Sequence, residues 1–139
     1  MLKVKLLENG KVPSKAHSGD AGFDVFVKEE IIIKSKTLEK IPLGICIEIP
    51  EGYVAMIDDK SGVASKGLFT VGGVIDSTYR GEIHCVIWNN SNEDITFNKH
   101  QKIAQMIIFP CYTKVDYELV SELSETDRGS GGFGSSGDF

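Results

Sequence analysis

Apolar side chains fall in short runs that glycine, proline, asparagine and aspartate interrupt at close intervals. No stretch of about a dozen residues carries the apolar stripe with a period of about 3.6 residues that marks an amphipathic helix. Short runs bounded by turn formers are typical of strands, so the pattern predicts an all-β chain. The strands are predicted at residues 1–7, 23–27, 31–33, 45–49, 53–57, 83–88 and 103–109.

Turn-forming segments separate several of these strands. Residues 8–10 (Glu-Asn-Gly) follow the first strand, residues 50–52 (Pro-Glu-Gly) connect two strands, and residues 89–92 (Asn-Asn-Ser-Asn) follow another. Many short strands with such connections predict a jelly-roll-like β-barrel or sandwich. One helical turn is predicted at residues 61–66, with Ser61 as its N-cap.

Length and composition limit what such a fold can be. A chain of 139 residues with 41% hydrophobic side chains fits one compact domain with its own core. The N-terminal residues alternate lysine with apolar residues, which is unlike a signal peptide, and no apolar run approaches the ~18 residues of a membrane helix. We therefore expect a soluble, cytoplasmic protein, or one of the host-cell cytosol if its source is viral.

The cysteines indicate neither a disulfide framework nor a zinc site. Cys46, Cys85 and Cys111 lie far apart in apolar stretches, so we expect buried thiols in a reducing compartment. The net charge of −5 argues against a nucleic-acid-binding surface, which needs many cations against the phosphate backbone. A local cluster of donors could still bind a single nucleotide.

The composition changes after Val120, and from Arg128 onward the chain is rich in glycine. We divide it into a β-barrel domain at residues 1–127 and a flexible C-terminal arm at residues 128–139. This arm contains a G-x-G-x-x-G pattern, but a dinucleotide fingerprint requires a strand before it and a helix after it, so that interpretation is rejected. Two alternatives remain open: a disordered solubilising tail, or an arm whose backbone N–H groups and Arg128 bind phosphate while Phe133 stacks on a base.

Two further segments contain candidate chemistry. Residues 72–82 (Gly-Gly-Val-Ile-Asp-Ser-Thr-Tyr-Arg-Gly-Glu) place Asp76 in a tight turn, where it could be an ordinary turn residue or a general base. Residues 59–62 (Asp-Lys-Ser-Gly) could form a capped surface turn, or could present a cation, a hydroxyl and free N–H groups to an anion.

These two segments and the glycine-rich arm, together with residues 21–25 (Ala-Gly-Phe-Asp-Val) and 102–106 (Lys-Ile-Ala-Gln-Met), resemble the five ordered motifs of the trimeric dUTPase family. The resemblance runs from about Ala16 to the C-terminus. It implies a β-clip jelly roll, a homotrimer with active sites at subunit interfaces, and Mg²⁺-dependent hydrolysis of dUTP to dUMP and pyrophosphate. Such an activity keeps uracil out of DNA and supplies dUMP for dTMP synthesis; neither a nucleic acid nor a membrane is expected as a partner.

The resemblance also implies a role for each matched residue. Asp76 would activate the water that attacks the α-phosphorus, and Tyr79 would lie under the deoxyribose and exclude a 2′-hydroxyl. Mg²⁺ would be held mainly by the triphosphate, with Asp24 touching it only through water. The remaining implied substrate contacts are the hairpin at Gly73, Val74, Ile75 and His84 for uracil; Lys60, Ser61, Gly62 and Gln105 for the phosphates; and Arg128, Phe133, Gly134 and Ser135 in the closing arm.

The chain departs from the family pattern in two places. Lys60 stands where many members have arginine, and the segment from Ser61 to Asp76 is shorter than in many cellular enzymes; both features are similar to retroviral members. Lysine keeps the charge but lacks the bidentate fork. Residues 100–102 (His-Gln-Lys) replace the common Gly-Asp/Glu-Arg, a change expected to affect packing more than chemistry.

Two other functions compete with this interpretation. A dCTP deaminase-type enzyme shares the fold and carries out a different reaction, although such enzymes resemble this chain less around Tyr79 and lack the arm with Phe133. A non-catalytic nucleotide-binding β-sandwich module is the second alternative. The presence of Asp76, Arg128 and Phe133 argues against it.

Overall fold

The computed structural model describes residues 1–133 and residue 137. Over this part of the chain it contains eleven β-strands and one short helix. In chain order these elements are β1 (Lys3–Leu6), β2 (Phe23–Phe26), β3 (Ile31–Ile33), β4 (Leu38–Pro42), β5 (Ile45–Glu48), β6 (Tyr53–Asp58), α1 (Ser61–Ala64), β7 (Leu68–Thr70), β8 (Val74–Ile75), β9 (His84–Asn89), β10 (Ile95–Phe97) and β11 (Lys102–Pro110).

The described strands pair only antiparallel. A four-stranded sheet has the order β2-β11-β6-β8, a three-stranded sheet has the order β4-β9-β7, and two further ladders join β1 to β5 and β3 to β10. Most neighbours in these sheets are distant in sequence, as jelly rolls require. The predicted all-β, jelly-roll-like fold is confirmed.

One apolar core lies between the sheets. Every strand from β2 to β11 contributes at least one buried side chain to it, because alternate residues of each strand point inward. Burying a side chain such as Ile33 or Phe97 contributes about 1.5–3 kcal/mol relative to leaving it exposed. This core holds in place the strand ends that carry the polar residues described below.

The apolar pattern missed four strands, β4, β7, β8 and β10. Each is short, and each of β4, β7 and β10 buries only one side chain fully: Ile41, Leu68 and Phe97. Such segments become strands because a distant strand pairs with them; β9, for example, lies between β4 and β7. Local periodicity carries no signal of this pairing.

The predicted turns are present, but the predicted helix cap is wrong. At residues 50–52, Tyr53 N donates to Pro50 O at 3.2 Å and Gly52 takes a φ of +83°. Helix α1 begins at Ser61, but its N-cap is Lys60, which has an extended backbone and no side-chain capping hydrogen bond. Ser61 is therefore the first helical residue, because the chain enters the helix one position earlier than the cap preference suggested.

The cysteines occupy two kinds of environment, so the expectation that all are buried is wrong. Cys85 lies in the core, where burial raises the pKa of its thiol to about 12. Cys46 and Cys111 are partly exposed, since Cys46 points away from the core between two buried isoleucines and Cys111 lies just beyond β11. All are free thiols. None of the described helices is long and apolar enough to cross a membrane.

Candidate active site

The segment from β8 to β9 lines a cleft of about 250 Å³, called here the hairpin cleft. Asp76 directly follows β8 and is exposed, and its carbonyl accepts the turn hydrogen bond from Tyr79 N at 3.1 Å. Among the described residues, none donates a hydrogen bond to its carboxylate, so the side chain does not serve the turn. The residues that line the hairpin cleft are Lys40, Gly73, Val74, Ile75, Asp76, Tyr79, Glu82, Ile83 and His84.

The backbone at one edge of the hairpin cleft requires glycine. Gly73 takes a φ of +96°, and its carbonyl accepts a hydrogen bond from Ile57 N at 2.9 Å. A Cβ at this position would lie 2.6 Å from the Ile57 carbonyl oxygen. The glycine therefore lets β8 approach β6 closely and fixes the start of the strand that carries Asp76.

Tyr79 is fixed at both ends of its side chain and still presents a free surface to the cleft. Its hydroxyl donates to the Glu82 carbonyl at 3.0 Å, and its ring lies over Gly81, where a Cβ would come within 2.3 Å of the hydroxyl oxygen. The ring remains 45% exposed. Nδ1 of His84 lies 3.0 Å from the same Glu82 carbonyl.

A second, more polar cleft of about 290 Å³ lies at the ends of β2, β11 and α1 and is called here the polar cleft. At its base, Asp24 is nearly buried between the ammonium groups of Lys60 and Lys102, the latter 2.7 Å away. Desolvation alone would raise the pKa of Asp24, but the hydrogen bonds and charges of the two lysines outweigh it and hold the pKa below its usual value. The lining residues are Ala16, Asp20, Ala21, Gly22, Asp24, Lys60, Ser61, Lys102 and Gln105.

Backbone contacts hold the remaining side chains of the polar cleft. Gln105 Nε2 donates to the Asp59 carbonyl at 2.8 Å, and its Oε1 lies so close to Gly22 that a Cβ there would be 2.7 Å away. The Asp59 carboxylate in turn accepts from Thr70 N at 2.7 Å and from the Thr70 hydroxyl at 2.8 Å. These bonds fix the loop that presents Lys60 to the cleft.

The polar cleft is better suited to bind an anion that already chelates a cation than to bind a metal ion directly through protein side chains. The described residues contain no group of three or more His, Cys, Asp or Glu side chains suited to hold a metal ion. Both Asp24 oxygens already face lysine ammonium groups. A divalent ion chelated by phosphate oxygens could still approach Asp24 through water.

The predicted arm residues lie apart from both clefts. Nε of Arg128 donates to the Gly131 carbonyl at 2.9 Å, so the guanidinium closes a local turn. The Phe133 side chain is fully exposed. Neither residue lines either cleft. Gly134 and Ser135 lie outside the described residues.

The predicted site residues thus form two groups within one chain. Asp76 joins Gly73, Val74, Ile75, Tyr79 and His84 at the hairpin cleft, whereas Asp24 joins Lys60, Ser61 and Gln105 at the polar cleft. Gly62 follows Ser61 on α1 without lining the cleft. The two clefts share no lining residue.

Sequence reasoning missed four charged residues that line the clefts: Asp20, Lys40, Glu82 and Lys102. Lys40 lies on β4, which the apolar pattern did not detect. Lys102 was expected to affect packing, yet it contacts Asp24. The start of β11 gives no alternating pattern that would direct this side chain away from the core, because Ile103 and Ala104 are both buried and the register of β11 against β2 shifts between Lys102 and Ala104.

Comparisons with known proteins show which family the chain resembles. A family model described as dUTPase matches residues 8–137. The deoxyuridine 5′-triphosphate nucleotidohydrolase of Clostridioides difficile is 44% identical over 140 residues, covering 98% of this chain and 97% of the relative. That of Rickettsia felis is 43% identical over 143 residues, covering 98% and 96%.

Solved structures give the same result. A mutant dUTPase of Staphylococcus bacteriophage 80alpha with dUpNHpp superposes with a TM-score of 0.91 at 32% identity, covering 99% of each chain. A mutant dUTPase from phage phi11 of S. aureus, described for its coordination of a structural Mg(II) ion, superposes with a TM-score of 0.83 at 29% identity. It covers 90% of this chain and 99% of its own.

Proposed function

The chain belongs to the dUTPase family, and from that premise we propose that it hydrolyses dUTP to dUMP and pyrophosphate, with Asp76 activating the attacking water. The observation that carries the proposal is the Asp76 carboxylate. It is exposed at the end of a fixed strand, beside the hairpin cleft, and no described residue donates a hydrogen bond to it. A carboxylate in that position is free to accept a proton from water.

The hydrolytic step balances without a covalent enzyme intermediate. Water bound to the Asp76 carboxylate attacks the α-phosphorus in line, and the bond from that phosphorus to the β-bridging oxygen breaks. Pyrophosphate leaves with the electron pair, and the water proton passes to Asp76. Phosphoryl transfer of this kind depends mostly on positioning and on charge neutralisation, which the clefts supply.

Recognition of the nucleoside belongs to the hairpin cleft. The Tyr79 ring, held by Glu82 and Gly81, packs against the deoxyribose and leaves no space for a 2′-hydroxyl. The backbone at Gly73, Val74 and Ile75, with that of His84, hydrogen-bonds the uracil edge. Backbone groups in fixed strands suit this role because their direction cannot change.

Recognition of the triphosphate belongs to the polar cleft. Lys60, Ser61 and Gly62 contact the phosphates, with Gln105 beside them, and Lys60 turns from Asp24 toward the incoming anion. Mg²⁺, held mainly by the triphosphate, would neutralise part of its negative charge. Asp24 would contact that ion only through water.

A second copy of the chain is needed to bring the two groups of residues together. The clefts share no residue within one chain, and several large apolar side chains are exposed on it. On the three-stranded sheet, Leu38, Trp88 and Phe69 face one another across the strand register. An exposed apolar surface of this kind is suited to contact another copy of the chain. It therefore supports a homotrimer with active sites at the subunit interfaces, over which the arms close.

The biological role follows from the reaction. Removing dUTP keeps uracil out of DNA, and the dUMP that is formed supplies the synthesis of dTMP. The reaction needs only nucleotide and Mg²⁺.

The test is a substrate panel. The proposal expects pyrophosphate and dUMP from dUTP in the presence of Mg²⁺, and far slower release from UTP and dCTP. Deamination of dCTP would instead favour a deaminase on the same fold. Nucleotide binding without turnover of any substrate would favour a binding module.

A further inference from the structure

The Glu82 side chain is a partly buried carboxylate with no role in the reaction as described. It is only 23% exposed at the edge of the hairpin cleft. Its Oε1 accepts hydrogen bonds from Lys28 Nζ at 3.0 Å and from the backbone N–H of Gly44 at 2.9 Å. Glu82 therefore ties the hairpin to two parts of the barrel that are distant in sequence.

The backbone carbonyl of the same residue organises the cleft. It accepts the Tyr79 hydroxyl at 3.0 Å and lies 3.0 Å from His84 Nδ1. The position of Tyr79 thus depends on where the Glu82 carbonyl lies. The carboxylate, through Lys28 and Gly44, holds the residue that carries this carbonyl.

We propose, on the basis of the function proposed above, that Glu82 is a positioning residue for sugar selection. Its carboxylate, clamped by Lys28 and Gly44, holds the carbonyl that fixes the Tyr79 ring against the deoxyribose. Selectivity against a 2′-hydroxyl needs a ring that cannot retreat, because a displacement of about 1 Å opens the space that the hydroxyl requires. Glu82 touches no reacting atom in this scheme.

The charge state of Glu82 agrees with this role. Desolvation would raise its pKa, but the hydrogen bonds from Lys28 and Gly44 outweigh that effect and keep the pKa below the usual value. The carboxylate is therefore ionised at neutral pH. Charge-assisted hydrogen bonds are about twice as strong as neutral ones, which suits a clamp.

A competing anchor lies one residue further along the chain. Ile83 N donates to the Ile45 carbonyl at 2.8 Å, and the Ile83 carbonyl accepts from Leu43 N at 3.0 Å. If these backbone bonds alone fix the hairpin, the Glu82 side chain is dispensable for selectivity. On the side toward Tyr79, the Arg80 guanidinium donates to the Ser77 and Tyr79 carbonyls within the same turn and, among the described residues, makes no other hydrogen bond.

The test compares Glu82→Gln with Glu29→Gln. Glutamine keeps the shape and can still accept from Gly44, but it lacks the charge. We expect a folded protein of unchanged oligomeric state whose kcat/KM ratio for dUTP over UTP falls about threefold to tenfold, mostly through faster use of UTP. Glu29 is exposed and accepts a single hydrogen bond, from Asn9, so its variant should keep the wild-type ratio.

Three further variants test the mechanism. Lys28→Met should reduce the ratio in the same direction, and the Lys28→Met, Glu82→Gln double variant should be no worse than Glu82→Gln alone, since both changes break one contact. Glu82→Asp keeps the charge but shortens the reach, so it should lose selectivity as well.

The outcomes separate this inference from the proposed function. A folded Glu82→Gln enzyme with the wild-type dUTP-to-UTP ratio would overturn the positioning role and leave the Ile83 bonds as the sufficient anchor. An equal loss of turnover on both substrates would overturn it too. Failure of the wild-type protein to hydrolyse dUTP would instead refute the function on which the inference rests.

Discussion

In the proposed reaction, the Asp76 carboxylate is the general base. Asp76→Asn preserves the size of the side chain and removes the basic group, so turnover of dUTP should fall by a factor on the order of 10² to 10⁴, while nucleotide affinity changes little. Single-turnover kinetics and equilibrium binding measure the two effects separately.

The matched control is Asp94→Asn. Asp94 accepts a hydrogen bond from Ser35 N at 2.8 Å and lines neither cleft. Its variant should keep normal turnover. Near-normal turnover of the Asp76→Asn variant would show that Asp76 is not the general base.

The ion pairs of Asp24 are expected to stabilise the folded chain. Asp24→Asn leaves Lys60 and Lys102 facing a neutral group, so the free energy of unfolding at pH 7 should fall by about 1–3 kcal/mol. Because the folded-state pKa of Asp24 is lowered, its contribution is fully present above the unfolded pKa and is lost as pH falls through the folded value. The difference between wild type and variant should therefore shrink below about pH 4.

Denaturant unfolding from pH 7 to pH 3 checks this prediction. The variant curve should lie below that of the wild type at pH 7 and approach it in acid. A difference independent of pH would mean that the lost stability comes from packing and not from the ion pairs.

At the scale of elements, short apolar runs predicted the strands that carry them, and the prediction failed where pairing alone makes a strand. β6, β9 and β11 carry enough buried residues to be recognised. β4 and β7 do not, and they form because β9 pairs with both. For the same reason Lys40 could not be assigned to the hairpin cleft, since its place depends on its register opposite Val86.

The candidate site follows the same division. Motif order predicted Asp76, Tyr79 and Gln105 as site residues, and the structure places each of them at the lining of one of the two clefts. It could not show that Lys60 and Lys102 share one carboxylate, because those residues lie on elements that meet only in the folded sheet. Nor could it show which parts of the site lie in different clefts.

The segment beyond β11 is the element with the fewest ties to the barrel. Cys111 N still donates to the Gly52 carbonyl at 2.7 Å, but Tyr117, Leu119 and Leu123 are almost fully exposed. Deleting residues 128–139 removes none of the core side chains among the described residues, so we expect unchanged thermal stability. Turnover should fall about tenfold or more, because Arg128 and Phe133 are proposed to close over the nucleotide.

Hydrogen exchange of the full-length chain tests the same element. The arm should become protected with a non-hydrolysable dUTP analogue and Mg²⁺, and less so with dUDP, which lacks the γ-phosphate that Arg128 is proposed to bind. Equal exchange in all states, together with full activity of the truncated chain, would instead indicate that the arm is a solubilising tail.

At the scale of the whole molecule, one folded chain holds two separate clefts. In the proposed function, the hairpin cleft would supply the base and the aromatic floor, and the polar cleft would supply the cations for the phosphates. We propose that these two halves of the site meet between two copies of the chain. If so, damage to one half in one copy can be compensated by an intact half from its neighbour.

Subunit mixing tests this claim most directly. One preparation carries Asp76→Asn, and the other carries Lys60→Met with Ser61→Ala. Each preparation alone should be nearly inactive. Co-refolding equal amounts of the two should restore activity at about a quarter of the sites, because that is the fraction of random neighbouring pairs in which both halves of the site are intact. Activity no greater than the mean of the two separate preparations would contradict the account, since it would place both halves of the site within one chain.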